Sequence, residues 1–489
     1  MAIISVPTDH ATIAGAVAAA SAGDTIIVEA GFATSEVVAV PVNALTFQGD
    51  TAQTGIQLVL GIGVSSITLD GTTTFDVVDY SGDVTIVGAN GSSTNVTING
   101  GNDAVHLGEG IGDDDRVVIN WDYLSENVTA AIASGAGTLT TEFASASLEF
   151  SGVETVTLNT GTGNDSISTG SQLTDETINS GDGNDTITVA GGNDVVDLGS
   201  GAVDDDVLIV NWGATSGTVA GNLSSGTGGL TNTDSEYSLS VVDAEHFNIT
   251  SGSGSDTIIT GAGNDTLNGA GGNDTLTAGD GQNVINGGAG NDSLTGGAGD
   301  DSINAGDADG AGNDTLTGAG GSDTATIGGG SDTIDLGAGG TADNDRLVVD
   351  WSATTGNVTA GYSSYATTLV ENEGYGSFAN SQSGYAATFS GVEHFTVTTG
   401  SGNDTFTTGA GDDVISTGGG NDSITAGSGK ITFDGGAGID FLNADLSAES
   451  ADIQLDLAAA LPGADIGGGN AIANVERVTL TTGSGNDTL

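Results

Sequence analysis

The sequence predicts an all-β chain wound as a parallel β-solenoid, closed near its N-terminus by a short helix. Three observations predict it. Between Ser255 and Ser302 a turn residue returns every nine positions, as Asp256, Asp265, Asp274, Asn283, Asp292 and Asp301, and a fixed short period is the signature of stacked repeats. Glycine supplies 85 of the 489 residues and proline only three, with no G-X-Y period. That excludes collagen and an ordinary core. Acids number 65 against four Lys or Arg, for a formal net charge of −61. Yet 36% of residues are hydrophobic and the acids are spaced rather than blocked, unlike a disordered acidic tail. A compact fold of that charge repels itself, so bound cations are expected to complete it.

The elements follow in order. Residues 12–20 (Thr12 to Ala20) predict a helix with Ile13, Val17 and Ala20 on one face. Gly23-Asp24 ends it, and Thr25 to Val28 predicts a strand. Further short strands are expected at 45–47, 56–60, 66–69, 84–87 and 95–98, separated by Gly, Asn and Asp turns. A helix leading into single strands suits a solenoid whose end is covered against edge pairing.

Three long runs carry the nine-residue beat. The first places aspartates at 165, 175, 185 and 194. The second runs from Asp256 to Asp332, with an insertion before Asp314 and then Asp323. The third holds Asp404, Asp413 and Asp422, passes through Ile431 and reaches Asp440; a fourth opens at Gly483 with Asp487. A longer repeat lies between them. It opens with Asp115-Arg116-Val117 to Trp121, Asp206-Val207 to Trp212 and Asp345-Arg346 to Trp351, with a degenerate copy at Asp440 to Leu446. Each copy closes on a glutamate (Glu154, Glu245, Glu393, Glu476), and the next roll aspartate follows 11 residues later. All three Trp share one slot, as packing anchors would. On this reading 1–99 is a capped β-helix, 161–203, 252–342 and 400–440 are rolls, and 483–489 starts a fourth. Residues 100–160, 204–251, 343–399 and 441–482 are β-rich inserts.

In each nine-residue repeat, as in the one that opens Gly261-Ala262-Gly263-Asn264-Asp265-Thr266-Leu267, six residues are turn and three are strand. The aliphatic residue faces inward, and its Thr, Ser or Asn neighbours face out. Stacked turns of carbonyls with one carboxylate each offer about six oxygens, a set that suits Ca²⁺ over zinc or copper. From about Gly161 to Leu489 these motifs resemble the RTX (hemolysin-type) calcium-binding repeat. That resemblance implies a right-handed parallel β-roll with multiple Ca²⁺ ions between turns. It implies as ligands Asp165, Asp185, Asp194, Asp256, Asp265, Asp274, Asp292, Asp301, Asp314, Asp323, Asp332, Asp404, Asp413 and Asp422, with Asp487 as a further position. Asn283 and Ile431 depart from the frame, so weak or missing sites are expected there, and Asp175 sits in a turn without its glycines. Asp307, Asp309, Asp113 to Asp115 and Asp204 to Asp206 stand either as extra ligands or as solvated turns. Residues 1–99 resemble the opening of pectin-lyase-like right-handed β-helices, through Thr12 to Val17 and Ala22 to Val28.

Function classes narrow accordingly. There is no Cys, so disulfides and thiol chemistry are out. Four basic residues cannot serve a nucleic-acid interface. No run of about 18 apolar residues exists for a membrane span, and no basic-plus-apolar leader opens the chain. Neither H-E-x-x-H nor G-x-S-x-G occurs. His246 and His394 ride on the longer repeat and are read as exposed strand residues. The leading expectation is a non-enzymatic, secreted structural protein of the bacterial cell surface: a surface-layer, matrix, filament or adhesin scaffold. The family implies type I export and folding on extracellular Ca²⁺. Expected partners are further copies of itself or a surface polysaccharide. The alternatives are a polysaccharide lyase or epimerase, disfavoured because residues 1–99 contain no Lys or Arg, and an ice-binding solenoid, disfavoured because the turns lack a regular Thr ladder.

Overall fold

A computed structural model describes residues 2–29, 37–41, 45–49, 56–61, 64–71, 75–80, 82–88, 93–108, 114–170, 175–201, 204–234, 237–306, 312–337, 344–364, 374–455 and 464–489. The candidate positions Asp113, Asp307 and Asp309 lie outside these residues. Among the described residues every regular element is a strand except one helix. It divides into two compact units, one of residues 1–212 and 225–248 and the other of 213–224 and 249–489.

In the first unit, from Thr25 to His106, successive strands alternate between two sheets and stack in parallel on the strand two places earlier, the helix taking the place of a strand between the first two. Thr25–Val28 pairs with Ile3–Val6 on one side and with Leu45–Gly49 on the other. The expected helix is Ile13–Ala19, capped by the Thr12 hydroxyl, which accepts from the Gly15 N–H. It buries Ile13, Ala16 and Val17 and packs against Val37–Val40, whose strand partner is Ile56–Leu60. The expected strands are present. So are Ile3–Val6, Val37–Val40, Phe75–Asp79 and Asn102–His106, which short apolar runs alone did not distinguish from turns.

In the second unit the nine-residue beat makes half a coil, so a coil takes 18 residues, or 22 where the chain carries four more. Thr257–Ile259, Thr275–Thr277, Ser293–Ala298, Thr315–Gly320 and Ser331–Asp335 stack in one sheet, and Thr266–Asn268, Val284–Asn286, Ser302–Asn304 and Thr324–Ile327 in the other. The inward residue of each strand meets its counterpart in the next coil. Leu276, Leu294, Leu316 and Ile334 form one column, and Leu267, Ile285, Ile303, Ala325 and Leu347 the other, all buried. Each buried Leu or Ile contributes about 1.5–3 kcal/mol.

The inserts do not hang outside the sheets. In the first unit Val128–Ala133 runs antiparallel to Ala136–Thr141, which runs antiparallel to Ser147–Ser151. The last of these returns to lie parallel to Asn102–His106, while Val128–Ala133 pairs with Ser166–Thr169. The chain therefore advances two places, folds back and fills the gap, so every strand stays paired. Val358–Ser364, Gly374–Asn380 and Ala386–Val392 repeat this meander in the second unit, between Ser331–Asp335 and Thr405–Thr407.

Trp121, Trp212 and Trp351 are fully buried, each at the end of the strand that precedes an insert. Trp351 packs on Phe378 and Tyr385, with ring centroids 6.2 and 5.8 Å apart. The buried indole N–H of Trp121 finds no acceptor, which costs about 1–3 kcal/mol. Trp121→Phe is therefore expected to change stability by less than about 1 kcal/mol, because lost packing offsets the removed donor, whereas Trp121→Ala should cost about 3–5 kcal/mol. Urea denaturation midpoints of the two variants check this.

Candidate metal centre

Every candidate aspartate among Asp165, Asp185, Asp194, Asp256, Asp265, Asp274, Asp292, Asp301, Asp314, Asp323, Asp332, Asp404, Asp413 and Asp422 is buried at a turn leading into a strand or at the strand's start. Burial follows from the glycines, which let the backbone wrap around the carboxylate. Register then joins the aspartates into ladders. The Asp256 N–H donates to Asp274 Oδ1, Asp274 to Asp292, Asp292 to Asp314 and Asp314 to Asp332, at 2.8, 2.8, 2.8 and 3.0 Å. The turns that lead into the other sheet link Asp265, Asn283, Asp301, Asp323 and Asp345 in the same way, at 2.9, 2.8, 2.9 and 2.7 Å. Asp165–Asp185–Asp206 and Asp404–Asp422–Asp440 are shorter ladders of the same kind.

The second oxygen of the carboxylate is the informative atom. Oδ2 of Asp165, Asp185, Asp256, Asp274, Asp301 and Asp422 is buried and accepts no hydrogen bond. It lies inside its own glycine turn, since a Cβ added at Gly269 would strike Asp274 Oδ2 and one at Gly296 would strike Asp301 Oδ2. Backbone carbonyls crowd the same space. A Cβ at Gly272, Gly281 or Gly290 would overlap the carbonyl oxygen of Gly254, Gly263 or Gly272, one coil back. Asn283 shows what the slot requires. Its Oδ1 serves the ladder, and its Nδ2 donates to the Gly279 carbonyl at 3.2 Å. An aspartate there presents a second acceptor to an acceptor, and only a proton or a cation reconciles the two.

Electrostatics agree. Burial pushes the Asp274 carboxyl from 3.8 up to about 7 and those of Asp165, Asp301 and Asp422 to about 6. Among the described residues no three His, Cys, Asp or Glu side chains converge on one point. A cation held in these turns would thus take one or two carboxylates and complete its shell with carbonyls, the donor set of a hard ion such as Ca²⁺.

Several residues differ from expectation. Asp175 is exposed, and Glu176 takes the buried place beside it, its N–H donating to Asp194 Oδ1 at 3.1 Å. The spacing of 18 from Asp194 marks Glu176, but the missing glycines conceal the frame. Ile431 is buried and its N–H donates to Asn470 Oδ1 at 2.9 Å, so the ladder resumes one insert later. Asp487 is half-buried and accepts from the Ile453 N–H at 2.9 Å. Asp103, absent from the expected set, is buried with an Oδ2 that accepts nothing, and its Oδ1 accepts from the Val84 N–H. His246 and His394 are half-buried rather than exposed. His246 Nε2 lies 2.6 Å from Asp205 Oδ1, and His394 Nδ1 accepts from the Asp412 N–H.

A second ladder runs outside the first, in the opposite sense. The Asn291 N–H donates to Asn273 Oδ1, Asn313 to Asn291, and Ser331 to Asn313, at 2.8, 2.7 and 2.8 Å. Asn273, Asn291 and Asn313, each just before a ladder aspartate, are thus rungs themselves.

The family described as the RTX calcium-binding nonapeptide repeat matches residues 173–202, 250–285, 277–310, 309–341 and 398–430. No curated protein matches the chain. The matched stretches are those whose turns stack buried, acceptor-rich aspartates one coil apart, at 18 to 22 residues, so this chain carries RTX repeats, which bind calcium.

Proposed function

We propose that this chain is a secreted structural protein of the bacterial cell surface or extracellular matrix, of the surface-layer, filament or adhesin kind, whose fold is completed by extracellular Ca²⁺. The observation that carries the proposal is the repetition of one rung along the chain, from Asp165 to Asp440. A chain whose acids are spent on its own backbone is built for shape. Among the described residues no helix is long and apolar enough to cross a membrane. Extracellular calcium modules bind at roughly 10⁻⁴–10⁻³ M, so such a chain stays unfolded in a cytosol, in keeping with type I export, and folds outside. Self-association or binding to a surface polysaccharide follows as its working contact.

Electron microscopy of the purified chain with millimolar Ca²⁺ and with EGTA tests this, alongside turnover assays on alginate and pectate. Ordered sheets or filaments, or rigid rods that bind polysaccharide, are expected only with Ca²⁺ and without turnover. Polysaccharide cleavage or epimerisation would overturn the structural reading in favour of an enzyme.

A further inference from the structure

In the first unit the outer face of one sheet is hollowed where the first insert enters it. Two adjoining hollows, of about 520 and 380 Å³, share Thr138 and Glu149 and so form one groove. Register defines its floor. Thr85, Ala104, Glu149, Thr138, Ala131 and Ser168 stand side by side on six neighbouring strands. At about 4.8 Å per strand the row is about 24 Å long, a length that suits an extended chain rather than a compact molecule.

Glu149 is the one charged residue of this floor, and it is exposed. The side chains beside it satisfy one another. Ser147 Oγ donates to Asn102 Oδ1 at 2.9 Å, and His106 Nδ1 lies 3.0 Å from Ser151 Oγ. Among the described residues none donates to the Glu149 carboxylate, and no Lys or Arg lines the groove. The meander does not require an acid there. The same place is held by Ser240 opposite Val195 in the second insert and by Thr388 opposite Thr333 in the third, as Glu149 stands opposite Ala104.

An occupant that covers this floor takes the Glu149 carboxylate out of water, which is costly unless the occupant brings a positive charge. A polyanion, a second copy of this chain included, is repelled by a chain of net charge −61. The hydroxyls of Thr85, Thr138 and Ser168 both donate and accept, as sugar hydroxyls do. Ala104 and Ala131 lie between them and leave room for the apolar face of a sugar ring.

We infer that this groove binds an extended polysaccharide bearing amino groups, with an ammonium on Glu149 and ring hydroxyls on Thr85, Thr138 and Ser168. The inference rests on the reading of this chain as a structural protein in contact with a surface polysaccharide, and it names the chemistry of that polysaccharide.

The test is isothermal titration calorimetry of the full chain, folded in millimolar Ca²⁺ at mildly acid pH, with short chitosan oligomers as the probe. Cellulose oligomers, alginate oligomers and a lysine oligopeptide are the comparisons. The chain is expected to bind the chitosan oligomers more tightly than any of the three, and less tightly as salt rises. Glu149→Gln should weaken binding about 10-fold or more by removing a charge-assisted hydrogen bond. Ala131→Trp should weaken it comparably by filling the floor with no change of charge. Glu142→Gln removes the same charge from an exposed acid outside the groove, and should leave affinity within about 2-fold. Circular dichroism shows which variants are folded. Preference for cellulose, alginate or the lysine peptide, or equal affinity in the wild type and folded Glu149→Gln or Ala131→Trp, would overturn this inference alone and leave the structural reading standing. Failure to bind any of the three polysaccharides would overturn it together with the polysaccharide contact proposed for this chain.

Discussion

Removing calcium at neutral pH is expected to abolish most of the β-structure of the rolls, and acidification without calcium to restore part of it. The cause is the same group of buried carboxylates. With no ion, each must be desolvated while charged, against carbonyls and other acids. Occupied sites each add about 1.4 kcal/mol at a tenfold excess of ion over Kd, and many sites act together. Protons substitute for the ion at lower pH. The folded-state values of Asp274 (about 7), Asp206 (about 7) and Asp301 (about 6) lie above the ordinary 3.8. The folded state therefore binds these protons more tightly than the unfolded chain. That contribution to stability is fully present below pH 3.8 and is lost as pH rises through about 6 to 7. Calcium binding has the opposite sign, since protons compete for the same oxygens, so the Ca²⁺ midpoint should rise as pH falls through that window. Far-UV circular dichroism with EGTA, from about pH 8 to pH 5, reads both effects. A spectrum indifferent to EGTA at neutral pH would sink the calcium-folding claim.

Two adjacent glycines should respond in opposite ways to the same substitution. Gly272 has φ +122°, and its added Cβ would overlap the Gly254 carbonyl of the coil before. Gly272→Ala thus combines left-handed backbone strain with overpacking against backbone, at about 1–3 kcal/mol each. The total is about 2–6 kcal/mol, enough to open the coils around Asp274. At Gly271 the nearest atom to an added Cβ is the Ala289 carbonyl at 3.8 Å, an ordinary contact. Gly271→Ala should be neutral or stabilise by up to about 1 kcal/mol, because alanine restricts the unfolded chain. Calcium titrations of folding compare the two. Equal midpoints for Gly271→Ala and Gly272→Ala would show that the stacking of turns does not set stability.

Much of this was legible in the sequence because a period of nine translates directly into geometry. The buried aspartates, the inward Leu and Ile columns and the Trp anchors all follow from position within the repeat. Asn283 and Ile431 were legible as exceptions for the same reason. The function of Asn273 and Asn291 was not, because an Asn in a turn has a local explanation and its partner lies a full coil away. Glu176 was hidden behind Asp175 because the turn that frames it lacks the usual glycines. The glutamates were visible as a fixed 11 residues before the next aspartate, but their contact is with an aspartate 36 to 48 residues earlier.

The sequence by itself determined the all-β class, the nine-residue repeat, which side chains face inward and which carboxylates lie at turns. All of these depend on spacing along one chain, and the 3.6 and 2.0 periods of helix and strand are distinguishable there. Only the tertiary structure decided which oxygen of each carboxylate is committed to the neighbouring coil and which remains for a proton or an ion. It alone showed that the inserts fold back into the sheets, and that the ladders reaching Asp206, Asp345 and Asp440 end on a glutamate. The physical reason is register. A side chain reaching across coils meets whatever residue the stacking places there, and insert length moves that residue along the sequence without moving it in space.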